Sequence, residues 1–153
     1  MNHSIGIGCK IGNYVDIGTY PFSFKNGECL EGTFDVIIGD RVFINPFTSI
    51  ESGVTRNTII GDDTIIDTHV IIGHDSQIGR GCEIDTHVSI LGHVTIGNNT
   101  RICAGAIIQP KVIIGDNCVV GANSYLRHDI PDNTICYGNP AIIKTDTNYG
   151  RTH

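Results

Sequence analysis

The sequence predicts an all-β fold, a single-stranded parallel β-helix of hexapeptide turns forming one domain over residues 1–153. Three observations predict it. An aliphatic residue stands at every sixth position: Ile60, Ile66, Ile72, Ile78, Ile84, Ile90, Ile96, Ile102, Ile108, Ile114, Val120 and Leu126. Neither an α-helix, with a period of 3.6, nor an ordinary strand, with a period of 2, produces a strict six; a β-solenoid does. Next, Ile66-Asp67-Thr68-His69-Val70 recurs eighteen residues later as Ile84-Asp85-Thr86-His87-Val88. Finally, Gly61, Gly79, Gly97 and Gly115 fall in one column at that spacing, as expected of a tight corner that favours a residue without Cβ.

The elements follow in chain order. Ile5, Ile11 and Ile17 begin the six-step. Residues 19–36 break it and are expected as an external loop insertion. Tyr20, Phe22 and Phe24 in that loop either stack on a base or sugar or pack the loop onto the coils. Ile38, Ile44 and Ile50 resume the period, residues 51–57 slip, and the frame is expected to resume at Val54. From Ile60 onward, three hexapeptides make one triangular coil. The aliphatic position i and the small or β-branched position i+4 (Thr64, Val70, Ser76, Cys82 and their successors) point inward. The C-terminal segment 127–153 fades through Asp129-Ile130-Pro131 and Gly138-Asn139-Pro140-Ala141 into a polar tail. Residues just before each i point outward. The column Ile71, Ser89, Ile107 and Tyr125 is largely apolar, which predicts a partner surface and a closed cyclic oligomer.

Composition excludes several functions. A net charge of −6 gives no basic stripe for nucleic acid. No apolar run approaches the roughly 20 residues of a membrane span, and the first residues lack the apolar core of a signal peptide. The six cysteines form no CxxC pair, so they are expected as reduced thiols in the cytoplasm and no metal site is expected of them.

The region Ile60–Ala141 resembles the left-handed parallel β-helix acyltransferases, the hexapeptide-repeat family; the left hand comes from that resemblance. The run Thr64–Gly79, containing Gly73-His74-Asp75-Ser76, resembles the catalytic-histidine segment of two subfamilies. One is the UDP-3-O-acylglucosamine N-acyltransferases. The other is the bacterial N-acetyltransferases of amino sugars or sialic acid. The ending Asp129-Ile130-Pro131 to Gly138-Asn139-Pro140-Ala141 is similar to the closing segment of acetyl-CoA-dependent sugar and serine acetyltransferases. Larger members carry an N-terminal nucleotide-binding domain; here the repeat begins by Ile5, and none is expected.

The resemblance implies an acetyl-CoA-dependent acetyltransferase acting directly on an amino sugar, free or nucleotide-linked, in surface glycan synthesis. Acetyl-CoA would be the co-substrate, and the protein a homotrimer with interfacial active sites. Acyl transfer needs an acceptor proton removed, an oxyanion stabilised and both reactants aligned. His74 is the candidate base, with Asp75 orienting it. Ala104, Gly105, Gly121 and Ala122 are either cofactor-binding positions along the pantetheine arm or merely permissive corners. Lys111, Arg127 and Lys144 are candidates for the cofactor's phosphates. His69 and His87 stack one coil apart, either as a structural ladder or as part of a site. His93 lies nineteen residues after His74, one out of frame, and is not treated as an equivalent base. Sugar O-acetylation uses the same base and stays open. So do a γ-type carbonic anhydrase-like zinc protein, for which His69 and His74 have a ligand-like spacing but no third histidine near Thr33, and a non-catalytic scaffold.

Overall fold

The computed structural model describes residues 3–21, 23–25, 28–30 and 34–144, with side chains described outside 22–33. Among them there is no helix, and so none long and apolar enough to cross a membrane. Three flat parallel sheets wrap one column of side chains, giving a left-handed parallel β-helix. The first face stacks Ser4–Ile5, Val36–Ile38, Thr58–Ile60, Gln77–Ile78, Thr95–Ile96 and Ile113–Ile114. The second stacks Lys10–Ile11, Phe43–Ile44, Ile65–Ile66, Glu83–Ile84, Arg101–Ile102 and Val119–Val120, and ends in a hairpin of Ile135–Gly138 with Ala141–Lys144. The third stacks Asp16–Thr19, Ser49–Glu51, Ile71–Ile72, Ser89–Ile90, Ile107–Ile108 and Tyr125–Leu126.

The eighteen-residue columns are the observed register. Ile60, Ile78, Ile96 and Ile114 pair in turn. So do Ile66, Ile84, Ile102 and Val120, and Ile72, Ile90, Ile108 and Leu126. All twelve are buried, as are their i+4 partners. Small size is only half of what i+4 requires. Thr64 Oγ1 donates to Gly79 O at 3.0 Å, Thr100 Oγ1 to Gly115 O at 2.9 Å, and Cys82 Sγ contacts Gly97 O at 3.1 Å. These inward hydroxyls and this thiol thus find corner carbonyls, as buried polar groups must.

The two breaks lengthen particular coils. Stacked residues are 18 apart in the regular coils (Asn98 on Asp116) but 22 apart across the 51–57 slip (Asp40 on Asp62) and 33 apart across the first loop (Ile7 on Asp40). The first insertion carries a hairpin, Ser23–Lys25 with Glu28–Leu30. Tyr20 is exposed; Phe22 and the Phe24 side chain lie outside the described residues. The frame does not resume at Val54. That residue sits outside any strand, and pairing restarts at Thr58.

The corner glycines have a different cause from the one expected. Gly61, Gly79, Gly97 and Gly115 do not adopt positive φ. They are required because the next coil lies directly against them. A Cβ on Gly97 would stand 2.3 Å from Asp116 Oδ1 and 2.6 Å from the Gly115 carbonyl carbon. Backbone cannot yield as a flexible side chain would. Gly97→Ala is therefore expected to destabilise the fold by about 1–3 kcal/mol, read as a lower thermal midpoint with unchanged far-ultraviolet circular dichroism at 20 °C. The left-handed backbone falls two positions later and is mostly occupied by Asn, Asp, His and aromatic residues.

One such column is a ring stack: Tyr14 on Phe47 at 5.2 Å, Phe47 on His69 at 5.0 Å and His69 on His87 at 4.9 Å, all near-parallel. It runs along the corner between the second and third faces. His69 and His87 are rungs of this ladder, with Thr86 Oγ1 2.7 Å from His87 Nδ1.

Candidate active site

The corner between the third and first faces gathers the chemically capable side chains. The chain leaves Ile71–Ile72, turns through Gly73-His74-Asp75-Ser76 and enters Gln77–Ile78. Asp75 takes the left-handed conformation, with φ 62°. That turns its carboxylate back against the preceding coil, where it is fully buried. The lengthened coil supplies the donors. Asp75 Oδ1 accepts from Thr55 N at 2.7 Å, Thr55 Oγ1 at 2.9 Å and Arg56 N at 2.7 Å. Oδ2 accepts from Val54 N at 3.3 Å and lies 2.6 Å from His74 Nδ1. Arg56 Nε donates to the Asp75 carbonyl at 2.8 Å, and Asp75 N donates to Thr58 Oγ1 at 3.0 Å.

Burial pushes the Asp75 carboxyl up, but hydrogen bonds from His74, Thr55 and Arg56 outweigh it and hold the group well below the usual carboxylate range. Asp75 is thus ionised and accepts the proton on His74 Nδ1. Nε2 of His74 is left with its lone pair, the tautomer a general base needs. The His74 side chain is 18% exposed, so that nitrogen is sheltered but reachable. Its backbone N–H is fixed by Glu51 Oε2 at 2.9 Å.

The following coil completes the corner. A Cβ on Gly92 would stand 2.7 Å from His74 Nε2, so the absence of a side chain at Gly92 lets the imidazole lie flat. His93 N donates to His74 O at 2.8 Å. The His93 ring meets that of His74 edge-on, centroids 5.1 Å apart, and its Nε2 is 3.6 Å from Asp75 Oδ2. Burial lowers the His93 pKa, with nearby Asp75 opposing the shift and His74, Arg56 and Lys111 reinforcing it. His74, Asp75 and His93 are also the described side chains whose ligand atoms, all within 4.8 Å of one another, could hold a metal ion. The spacing that suggested His69 with His74 spans two different corners, and Thr33 lies outside the described residues.

His74 and Asp75 are thus brought together as expected. His93 is not an equivalent of His74, but it joins the site because it stands eighteen residues after Asp75, in that residue's column. Glu51, Thr55, Arg56 and Gly92 had no signal beyond the frame slip and the Gly-His echo. Ala104, Gly105 and Ala122 lie elsewhere, on the ring-ladder corner across the third face, and Gly121 one residue before it. The Gly105 and Gly121 amides are already committed to Thr86 O at 3.0 Å and Cys136 O at 2.8 Å. They have no donor left for a pantetheine arm. Lys111 follows His93 along the site corner, whereas Lys144 lies over the Tyr137 ring at 4.6 Å. The apolar outward column borders the site, with Ile71 48% and Ile107 43% exposed.

A family description, bacterial transferase hexapeptide (six repeats), matches residues 57–92 and 93–128. Residues 57–128 thus carry hexapeptide repeats of that description. The hexapeptide region is 44% identical over 86 residues to a probable UDP-3-O-acylglucosamine N-acyltransferase from Arabidopsis thaliana, covering 53% of this chain and 28% of that protein. It is 38% identical over 73 residues to an acyl-[acyl-carrier-protein]–UDP-N-acetylglucosamine O-acyltransferase from Burkholderia mallei, covering 46% and 27%. The match thus spans little more than a quarter of either curated relative. Among solved structures, UDP-N-acetylglucosamine acyltransferase from Bacteroides fragilis superposes with a TM-score of 0.84 at 26% identity, covering 94% of this chain and 56% of that one. A mutant perosamine N-acetyltransferase from Caulobacter crescentus, in complex with CoA and GDP-perosamine, gives 0.58 at 26% identity, covering 94% and 58%.

These relatives overturn acetyl-CoA as the expected co-substrate. The Burkholderia mallei relative is named for an acyl-carrier-protein donor, and the stronger structural match is to a UDP-N-acetylglucosamine acyltransferase. Of these two structural matches, CoA is named only with the weaker. The Gly138-Asn139-Pro140-Ala141 ending, which suggested acetyl-CoA, forms the turn of the terminal hairpin.

Proposed function

We propose that this protein transfers an acyl group from an acyl-carrier-protein thioester to a UDP-linked amino sugar, with His74 as general base. The observation that carries the reading is the His74–Asp75 pair: an ionised carboxylate 2.6 Å from Nδ1, leaving Nε2 free to take a proton. The names of the hexapeptide relatives supply the donor and acceptor classes. In the reaction, Nε2 takes the proton from the acceptor amine or hydroxyl as that atom bonds to the thioester carbonyl carbon. The imidazolium is stabilised by Asp75. The carbon–sulfur bond then breaks, and the proton passes from His74 to the departing thiolate. No side-chain nucleophile is required, so transfer is direct.

The active unit under this reading is a homotrimer in which the exposed Ile71 and Ile107 are covered by a neighbouring copy. That places His74 beside a subunit boundary and shields the thioester from water.

Purified protein, incubated with acyl-carrier proteins of several chain lengths and a panel of UDP-hexosamines, should yield an acylated nucleotide sugar by mass spectrometry. Fragmentation would show whether nitrogen or oxygen carries the acyl group. Absence of product across the panel would refute the reading. Because Asp75 is held ionised and His93 is shifted toward its neutral form, the acid side of the kcat/KM profile is expected to show one ionisation as activity rises with pH. A slope of two on that limb would contradict the assignment.

A further inference from the structure

The 51–57 slip could be a passive bulge in a repeat protein, but it lies directly on the site. Its four extra residues bring Val54, Thr55 and Arg56 over Asp75. A Cβ on Gly53 would overlap the Arg56 carbonyl, so Gly53 is what lets the segment fold back this closely. The donors are divided unequally between the two carboxylate oxygens. Oδ1 takes three of them, two from Thr55 alone; Oδ2 takes the long contact from Val54 and faces both His74 and His93.

We propose that Thr55 is a positioning residue: by saturating Oδ1 it locks the Asp75 carboxylate so that Oδ2 alone meets His74, which fixes the His74 tautomer. The catalytic part of this inference rests on the acyl-transfer reading above; the tautomer does not. Three short donors on one oxygen leave the carboxylate a single low-energy rotation. Without the hydroxyl, Oδ1 keeps two amides and the group gains freedom to swing. The 2.6 Å contact then loosens, and Nε2–H and Nδ1–H forms of His74 coexist. Thr55 as a residue is exposed, while its hydroxyl reaches the buried carboxylate at 2.9 Å.

The test compares Thr55→Val, which removes the hydroxyl and keeps the shape and the amide, with Thr55→Ser, which restores the hydroxyl. Nitrogen-15 NMR of the imidazoles reads the His74 tautomer in the absence of any substrate. Wild type and Thr55→Ser are expected to show a protonated Nδ1 and an unprotonated Nε2, and Thr55→Val a mixture. With acyl donor and acceptor, Thr55→Val is expected to lower kcat about tenfold at unchanged KM, and Thr55→Ser to retain at least half. Should Thr55→Val fail to fold, Thr55→Ala makes the same comparison. A wild-type tautomer in the hydroxyl-deficient variant would overturn the proposal. A shifted tautomer in a protein that transfers no acyl group would uphold it and sink the acyl-transfer reading instead.

Discussion

Asp75→Asn should lower kcat by about 10³–10⁴ while the β-helix stays folded; the corresponding change in a catalytic triad costs about 10⁴ by selecting the wrong tautomer. The reason lies in the donor distribution. Three donors hold the Oδ1 position, so the amide oxygen must sit there and the NH₂ must face His74. An NH₂ cannot accept the Nδ1 proton. It donates to Nδ1 instead, and the imidazole proton moves to Nε2, where the base is needed. The variant also loses an ionised acceptor, a cost of about 1–3 kcal/mol at neutral pH. The sign of its pH dependence follows from the depressed carboxyl. The contribution of Asp75 is fully present above the unfolded-state value near 4 and is lost as pH falls below it. The wild type and Asp75→Asn should therefore converge in thermal midpoint on acidification. A gap that widened toward pH 3 would contradict the ionised, donor-saturated carboxylate.

His74→Ala is the second large effect. It removes the proton acceptor itself, so turnover should fall by about 10²–10⁴, read by single-turnover transfer to separate chemistry from product release. The structural cost is small by comparison. The side chain is sheltered rather than sealed, its neighbour His93 stays in place through its own backbone bond, and water can reach the vacated Oδ2. A loss of about 1 kcal/mol is expected. A variant with full turnover would remove His74 from the mechanism. One that unfolds would show the imidazole to be structural, like His69 and His87 in the ring ladder.

The repeat was legible because its cause is local. Each inward aliphatic must meet its counterpart one coil away, and eighteen residues is the coil. The same counting hid part of the site. His93, measured against His74, is one residue out; measured against Asp75 it is in register. The corner positions carry the left-handed turn, and phase there is set by Asp75. The periodic glycines were legible as a column, yet their cause is contact with the next coil rather than backbone sign. The slip at 51–57 was visible only as a departure from period. No pattern within Ser52-Gly53-Val54-Thr55-Arg56-Asn57 shows that its amides converge on a carboxylate twenty residues later. That convergence exists only once Gly53 folds the segment against the neighbouring coil. The donor class was least legible, because the segment that suggested acetyl-CoA is a hairpin turn whose residues serve the fold.

The most direct measurement is a crystal structure with a UDP-linked amino sugar bound. The acceptor amine or hydroxyl is expected within about 3.2 Å of His74 Nε2, with Nδ1 still against Asp75. An acceptor seated away from the His74 corner, or Nε2 turned onto Asp75, would contradict the role of His74 as the base.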